Sequence, residues 1–413
     1  MSPFPLQNVR VLDLTQAVAG PVCTRLMAHL GAQVIKIESP WGRGLVRGVG
    51  VPGKRPDSKP YNLVPNFNEL GRGKLGMTLN LQTEGGKDLF RKLLRIADVV
   101  VDNYSPRVMP NLGLDYESLR KIKPDIIMVS MPAFGSTGPW ANFIAFGPGT
   151  DALSGVCEIT GYEDGPPLKP GNFYADQNGG FHTVLAIMLA LWHRKNTGQG
   201  QRIESTLRDG LVSVIGEKFL EYQLTGRVPT RMGNRHPTMA PHNVYPCQGE
   251  DKWVTIGIGT DEEWQALCRV MGRSDLASDA RYRDVLGRRR HEKELDAAIT
   301  EWTQQRSHYE AMNSLQAAGV SAGAALTAPE IVEDPHYKER DAFDYTDHPD
   351  AGRARHSGIA WKMTRAPMNT GVPAPQFAQH LDWVLQEVLA LPQGEIDALR
   401  DSKVVVWEPQ ARD

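Results

Sequence analysis

Val9-Arg10-Val11-Leu12-Asp13-Leu14 alternates as a strand does, and Ala17-Val18-Ala19-Gly20-Pro21 follows as a turn of small residues. Pro21 to Leu30 then reads as a helix with proline in its first turn. Gly31 stops that helix, and Val34 to Glu38 is the next strand. A strand, a helix and a second strand within about thirty residues make one βαβ unit. The pattern continues. Met77 to Asn80 reads as a strand, Thr83 caps a helix to about Ile96, and Val99 to Asn103 is a buried strand. Tyr116 to Lys121 is a short helix, Asp125 to Met131 a strand, Arg202 to Thr206 a strand, and Arg208 to Tyr222 one long helix. Strands alternating with helices predict an α/β fold on an open, mostly parallel sheet. Ligands of such sheets gather at the carboxyl ends of the strands. The first turn is Val-Ala-Gly-Pro rather than Gly-x-Gly-x-x-Gly, which argues against conventional NAD binding.

Between the strands the chain makes one long excursion. Residues 39–73 are rich in Gly, Pro, Arg and Lys without periodicity, and long loops of this kind in compact enzymes are often functional. The character changes again near Thr225, where Gly226 to Gly249 carries Pro, His and Asn throughout. A strand at Trp253 to Ile258 and helices at Asp261 to Met271, His291 to Gln304 and Ser307 to Ala317 then form a second, smaller α+β domain. The expected division is 1–224 for the large domain, 225–325 for the small one, and 326–413 as a return segment that completes the first. One amphipathic helix is expected in the tail, from about Gln376 to Leu391.

The candidate chemistry sits where the irregular stretch Pro167 to Gly171 runs into an apolar helix, Phe181 to Trp192. That helix is apolar almost all the way round and is expected to be buried. Asp176 stands at the junction, placed to cap the first-turn N–H groups and to stay ionised beside the positive end of the helix dipole. Capping is the ordinary role of Asp at this place. Gly179 and Gly180 point past it, because each glycine weakens a helix by about 1 kcal/mol and two together imply a close approach to the backbone. His182 lies on another face of the helix and is read as a core histidine. Arg72 and Lys74 lie on a glycine-rich loop of the kind that holds phosphate.

Several classes are set aside. The net charge of the 413 residues is -2, so there is no overall basic footprint for nucleic acid. The longest apolar run, Val184 to Trp192, is far short of a membrane span. Cys23, Cys157, Cys247 and Cys268 are scattered, and the histidines show no metal-ligand spacing, so no metal site or disulfide framework is expected. The start of the chain lacks a charged-then-apolar signal pattern, and a cytoplasmic setting is expected.

Taken together these segments resemble the family III CoA-transferases, the formyl-CoA transferase and carnitine-CoA transferase group. The resemblance rests on Val11 to Leu14 with Ala19-Gly20-Pro21, on Leu30 to Glu38, and on Ala97 to Tyr104. It continues through Asp164 to Pro167, Asp176 to Gly180, Thr197 to Gln201, Gly233-Asn234, Tyr245 to Cys247, Gly319 to Gly323, Asp334 to His336 and Arg365 to Pro367. It implies a Rossmann-like sheet and an interlocked homodimer, each chain a ring threaded through the other, or a pairing with a related subunit. It also implies coenzyme A thioesters as substrates, with no permanently bound cofactor, and a small carboxylic acid as acceptor. Asp176 falls on the family's nucleophile, and backbone N–H groups near Gly179 and Gly180 would hold the oxyanion. The CoA contacts would be Val18 and Ala19, Arg72 and Lys74, Asn103, Tyr104 and Ser105, and Phe134.

The chain departs from its relatives in places. Ser105 and Asn111 stand where many carry Arg, with Arg107 two residues on from Ser105, and the long glycine-rich insertion of formyl-CoA transferases is not evident. Racemases of the same fold pair their Asp with a His at the position of Thr150, just before Asp151, and two-base proton exchange needs a group on each face. A non-catalytic subunit would have no use for Asp176.

Overall fold

The computed structural model describes residues 3–41, 47 and 59–410. Residues 42–46 and 48–58 of the long excursion, expected to be functional, lie outside the described residues. The chain divides into two compact units, one of Met1–Val156, Lys169–Gly226 and Glu339–Asp413, the other of Cys157–Leu168 and Arg227–Lys338. The return thus falls after Lys338 rather than at residue 325, and a short earlier segment joins the smaller unit.

The larger unit holds a six-stranded parallel sheet of β1 (Arg10–Asp13), β2 (Gln33–Glu38), β3 (Leu75–Thr78), β4 (Val99–Asp102), β5 (Ile127–Ser130) and β6 (Arg202–Glu204). The order is β3-β2-β1-β4-β5-β6, so the winding reverses between β1 and β4. The central strands β1 and β4 are short apolar runs buried on both faces, as parallel strands under helices must be. Alternate residues serve opposite cores. Val11, Val99 and Val101 pack with Cys23 and Met27 of α1 (Ala19–His29), while Leu12 and Val100 pack with Phe90 and Leu93 of α2 (Glu84–Arg95). Thr83 caps α2 by accepting the Gly86 N–H at 3.1 Å, as its sequence position predicts. Leu381, Val384 and Val405 of the tail lie in the same core as Leu12, so the last segment completes this unit.

Three more helices frame the site: α3 (Gly147–Ser154), α4 (Tyr174–Thr197) and α5 (Leu207–Val214). The expected single helix from Arg208 to Tyr222 is broken at Ile215, and α6 (Gly216–Thr225) begins on a glycine, a weak helix former. The tail also differs from expectation. A short turn at Leu381–Trp383 widens into a π-helical turn at Val384–Val388, and a separate helix, Gln393–Asp401, starts after Pro392.

The smaller unit has an antiparallel sheet of β7 (His242–Pro246), β8 (Trp253–Gly257) and β9 (Ser321–Ala324). Val254 and Ile256 of that sheet share a core with Trp264, Ile299 and Leu315 from the helices Asp261–Met271, Glu292–Thr303 and His308–Ala317. A hairpin not anticipated from the sequence, β10 (Phe343–His348) with β11 (Gly352–Ser357), belongs to the larger unit. No helix among the described residues is long and apolar enough to cross a membrane.

Candidate active site

The point where the sheet winding reverses is where ligands enter folds of this kind. Its two strand ends are locked together here. The Gln16 N–H donates to Asn103 Oδ1 at 2.7 Å, and Asn103 Nδ2 donates to the Gln16 carbonyl at 2.7 Å. The next residue, Ala17, has φ of 58°, a left-handed conformation that costs a non-glycine residue about 1–3 kcal/mol and clusters at functional sites.

A cavity of about 260 Å³, partly open to solvent, opens at this turn. Asp176, Asn103, Tyr104, Ser105 and Phe134, all picked from the sequence, line it. Gln16, Ala17, Gly147 and Leu207 line it too and were not anticipated. Phe134 meets Trp140 and Phe143 edge-on, with centroids 6.0 and 6.3 Å away, so one wall is aromatic. Phe143 and Phe146 of that wall are 53% and 61% exposed.

Asp176 is not the cap of α4. The cap is Phe173, itself left-handed at φ of 53°, and Asp176 is the third helical residue. Its carboxylate still lies in the first turn, where the dipole favours negative charge. Burial nevertheless outweighs that help. It pushes the carboxyl up to about 6, against support from the backbone N–H groups of Ala19 and of Asp176 itself, and Asp151 adds a like charge. At neutral pH the group remains mostly ionised.

Gly179 and Gly180 have a different role from the one expected. A methyl on Gly179 would overlap Leu207 of α5, and one on Gly180 would lie 2.7 Å from Val22 Cγ1 of α1. Both glycines let α4 sit close against its neighbours; neither lines the cavity. The close approach to the Asp176 carboxylate belongs to Gly147, where a methyl would overlap Asp176 Oδ2. Gly147→Ala must therefore push the carboxylate aside. We expect a fall in turnover of about 10²-fold, the scale of an ångström's misplacement at a reacting group, with an unchanged melting temperature. Steady-state rates beside a thermal melt check this; normal turnover would show that Asp176 needs no fixed seat.

Arg72 and Lys74 do not offer charge to a phosphate. The Arg72 guanidinium donates to Asp344 at 3.1 Å, Glu69 at 3.1 Å and the Ser357 carbonyl at 2.7 Å. Lys74 donates to Asp13 at 3.0 Å and to Thr24 at 2.7 Å. Both are buried, and charge taken out of water must be paired, so these partners take up their donors. Val18 and Ala19 are buried as well, and the turn reaches the cavity through Gln16 and Ala17 instead. His182 is exposed rather than in the core. So is one stripe of α4, with Phe181, Leu185, Leu189 and Trp192 between 49% and 65% exposed, contrary to the buried helix expected. Thr150 is buried and donates to the Phe146 carbonyl at 3.3 Å, so no base stands in its place. Arg107 is exposed and does not line the cavity.

The chain is 31% identical over 411 residues to the succinyl-CoA–D-citramalate CoA-transferase of Chloroflexus aurantiacus, covering 98% of each. It is 35% identical over 387 residues to the succinyl-CoA:mesaconate CoA-transferase of Haloarcula marismortui, covering 92% of this chain and 96% of that one. The crystal structure of a CAIB/BAIF family protein from Brucella suis superposes with a TM-score of 0.85 at 31% identity, over 94% of this chain and all of that one. The model of CoA-transferase family III matches residues 6–381, and the chain belongs to that family.

Proposed function

We propose that the protein moves CoA from succinyl-CoA to a small carboxylic acid, with Asp176 as the covalent nucleophile. The observation that carries this reading is Asp176 in the lining of the cavity at the sheet's reversal point, which Asn103, Tyr104 and Ser105 also line. A carboxylate is a weak nucleophile, so placement matters more than basicity. An Asp176 oxygen attacks the thioester carbonyl; the C–S bond breaks and CoA thiolate leaves. The thiolate attacks the aspartyl carbonyl of the mixed anhydride and releases the donor as a free carboxylate, leaving an aspartyl-CoA thioester. The acceptor carboxylate then repeats both steps in reverse and regenerates Asp176. No net proton is moved, so a second base such as the missing histidine at Thr150 is not needed.

The aromatic wall of Phe134, Phe143 and Phe146 suits the apolar parts of an acyl-CoA. Citramalate and mesaconate are the first acceptors to test, given the names of the relatives. A second copy of the chain, interlocked with the first, is the partner this reading assigns to the exposed apolar stripe of α4. The four free cysteines accord with a reducing, cytoplasmic setting.

The test is thioester exchange followed by mass. Purified protein with succinyl-CoA and each acid in turn is expected to yield the acceptor's CoA ester and succinate in equal amounts. Hydrolysis alone, or no exchange with any donor and acid, would overturn the assignment of substrates.

A further inference from the structure

A second carboxylate stands beside the first. Helix α3 presents Gly147 and Asp151, four residues apart and hence on one face, to the start of α4. Gly147 lies against the Asp176 carboxylate. Asp151 is fully buried, and its Oδ1 accepts the Ala175 N–H at 3.0 Å, one residue before Asp176. Its Oδ2 is buried with no hydrogen-bond partner among the described residues. A helix-anchoring role needs an acceptor at this place but no charge, and an uncompensated buried oxygen is costly. Leaving a carboxylate here, within range of the Asp176 charge, calls for a reason.

We propose that Asp151 is a positioning residue for Asp176: Oδ1 pins the first turn of α4, and the carboxylate holds a like charge against the nucleophile that is released when Asp176 is acylated. This rests on Asp176 being the nucleophile. Formation of the anhydride makes the new C–O bond, breaks the thioester C–S bond and carries the negative charge away on the CoA sulfur. The repulsion therefore raises the energy of the free carboxylate and not that of the acylated one, which favours attack. The surroundings agree in direction. Burial and the Asp151 charge raise Asp176, and burial raises Asp151, with Lys169 the attractive charge acting on it. From the other elements packed here, α1 contributes the Ala19 N–H and α5 contributes Leu207.

Asp151→Asn keeps the acceptor for Ala175 and nearly the same volume but removes the charge. The readout is the pH dependence of Asp176 modification by a water-soluble carbodiimide and an amine, followed by peptide mass spectrometry. Wild-type labelling is expected to fall as pH rises through about 6, as the carboxyl ionises. Without a like charge the ionised form is easier to reach, so the midpoint in Asp151→Asn moves to lower pH by about one unit. The acid limb of turnover moves with it, and turnover at neutral pH falls roughly tenfold, the equivalent of that one unit. Asp151→Ala lowers the labelling midpoint too, and loses more turnover because the first turn is no longer pinned. A midpoint unchanged in either folded variant overturns the proposal. Labelling reports the ionisation of Asp176 whether or not it is the nucleophile. A shifted midpoint in Asp151→Asn alongside full turnover in Asp176→Asn would sink the mechanism and leave the charge coupling standing.

Discussion

Asp176→Asn is expected to fold normally and to lose CoA transfer by at least about three orders of magnitude, as removal of a covalent nucleophile does. The side chain keeps its volume, so the seat against Gly147 is still filled. The cost to the fold is the favourable interaction of a first-turn carboxylate with the helix dipole, about 0.3–1 kcal/mol, offset by relief of the repulsion from Asp151. The amide oxygen that remains carries too little electron density to attack a thioester. A trapping experiment makes the same point from the other side. Wild-type protein incubated with succinyl-CoA and then hydroxylamine should carry a hydroxamate on Asp176 alone, because the anhydride and the aspartyl thioester both react with that amine. Transfer retained in Asp176→Asn, or a hydroxamate on a different peptide, would remove Asp176 from the reaction.

How far the sequence reaches depends on how local each cause is. The strands of the parallel sheet and the cap at Thr83 follow from neighbouring residues, and they are found close to where the pattern places them. The gathering of Asn103, Tyr104, Ser105, Phe134 and Asp176 in one cavity follows from strand ends meeting where the sheet order reverses. Distant pairing is what cannot be read. Nothing near Arg72 announces that Asp344 and Ser357 will take its donors. The glycines of α4 show the same limit. Local reasoning correctly finds that Gly179 and Gly180 admit something close, but that something is Leu207 and Val22. Gly147, which does approach the carboxylate, is hidden in a Gly-Pro-Gly run that also reads as an ordinary loop. The exposed face of α4 is a different matter, since an apolar residue on a helix does not say whether its own chain covers it.

The same kind of pairing sets the other large effect. Under the turn that shapes the cavity, Asp13 is a single buried carboxylate facing two buried ammonium groups, Lys74 at 3.0 Å and Lys36 at 3.4 Å. Burial alone would raise the Asp13 carboxyl; the two lysines and the hydroxyls of Thr15 and Thr24 hold it below the ordinary range instead. Burial, with repulsion from Lys36, lowers Lys74 to about 8, less far than it would without Asp13. Asp13→Asn therefore leaves two positive charges out of water without the carboxylate that pairs them. We expect a loss of about 3–5 kcal/mol in the larger unit, the usual result of stripping one partner from a buried pair. Lys74→Met should cost much less, because the Lys36–Asp13 pair that remains is neutral and the methionine fills most of the space. Urea unfolding of both variants orders the two costs. Steady-state kinetics on Lys74→Met asks the companion question: a lysine buried in this pair predicts an unchanged Michaelis constant for succinyl-CoA, whereas a lysine that met a CoA phosphate would raise it. Equal destabilisation by the two substitutions, or a raised Michaelis constant in Lys74→Met, would mean that the lysine's charge is not spent on Asp13.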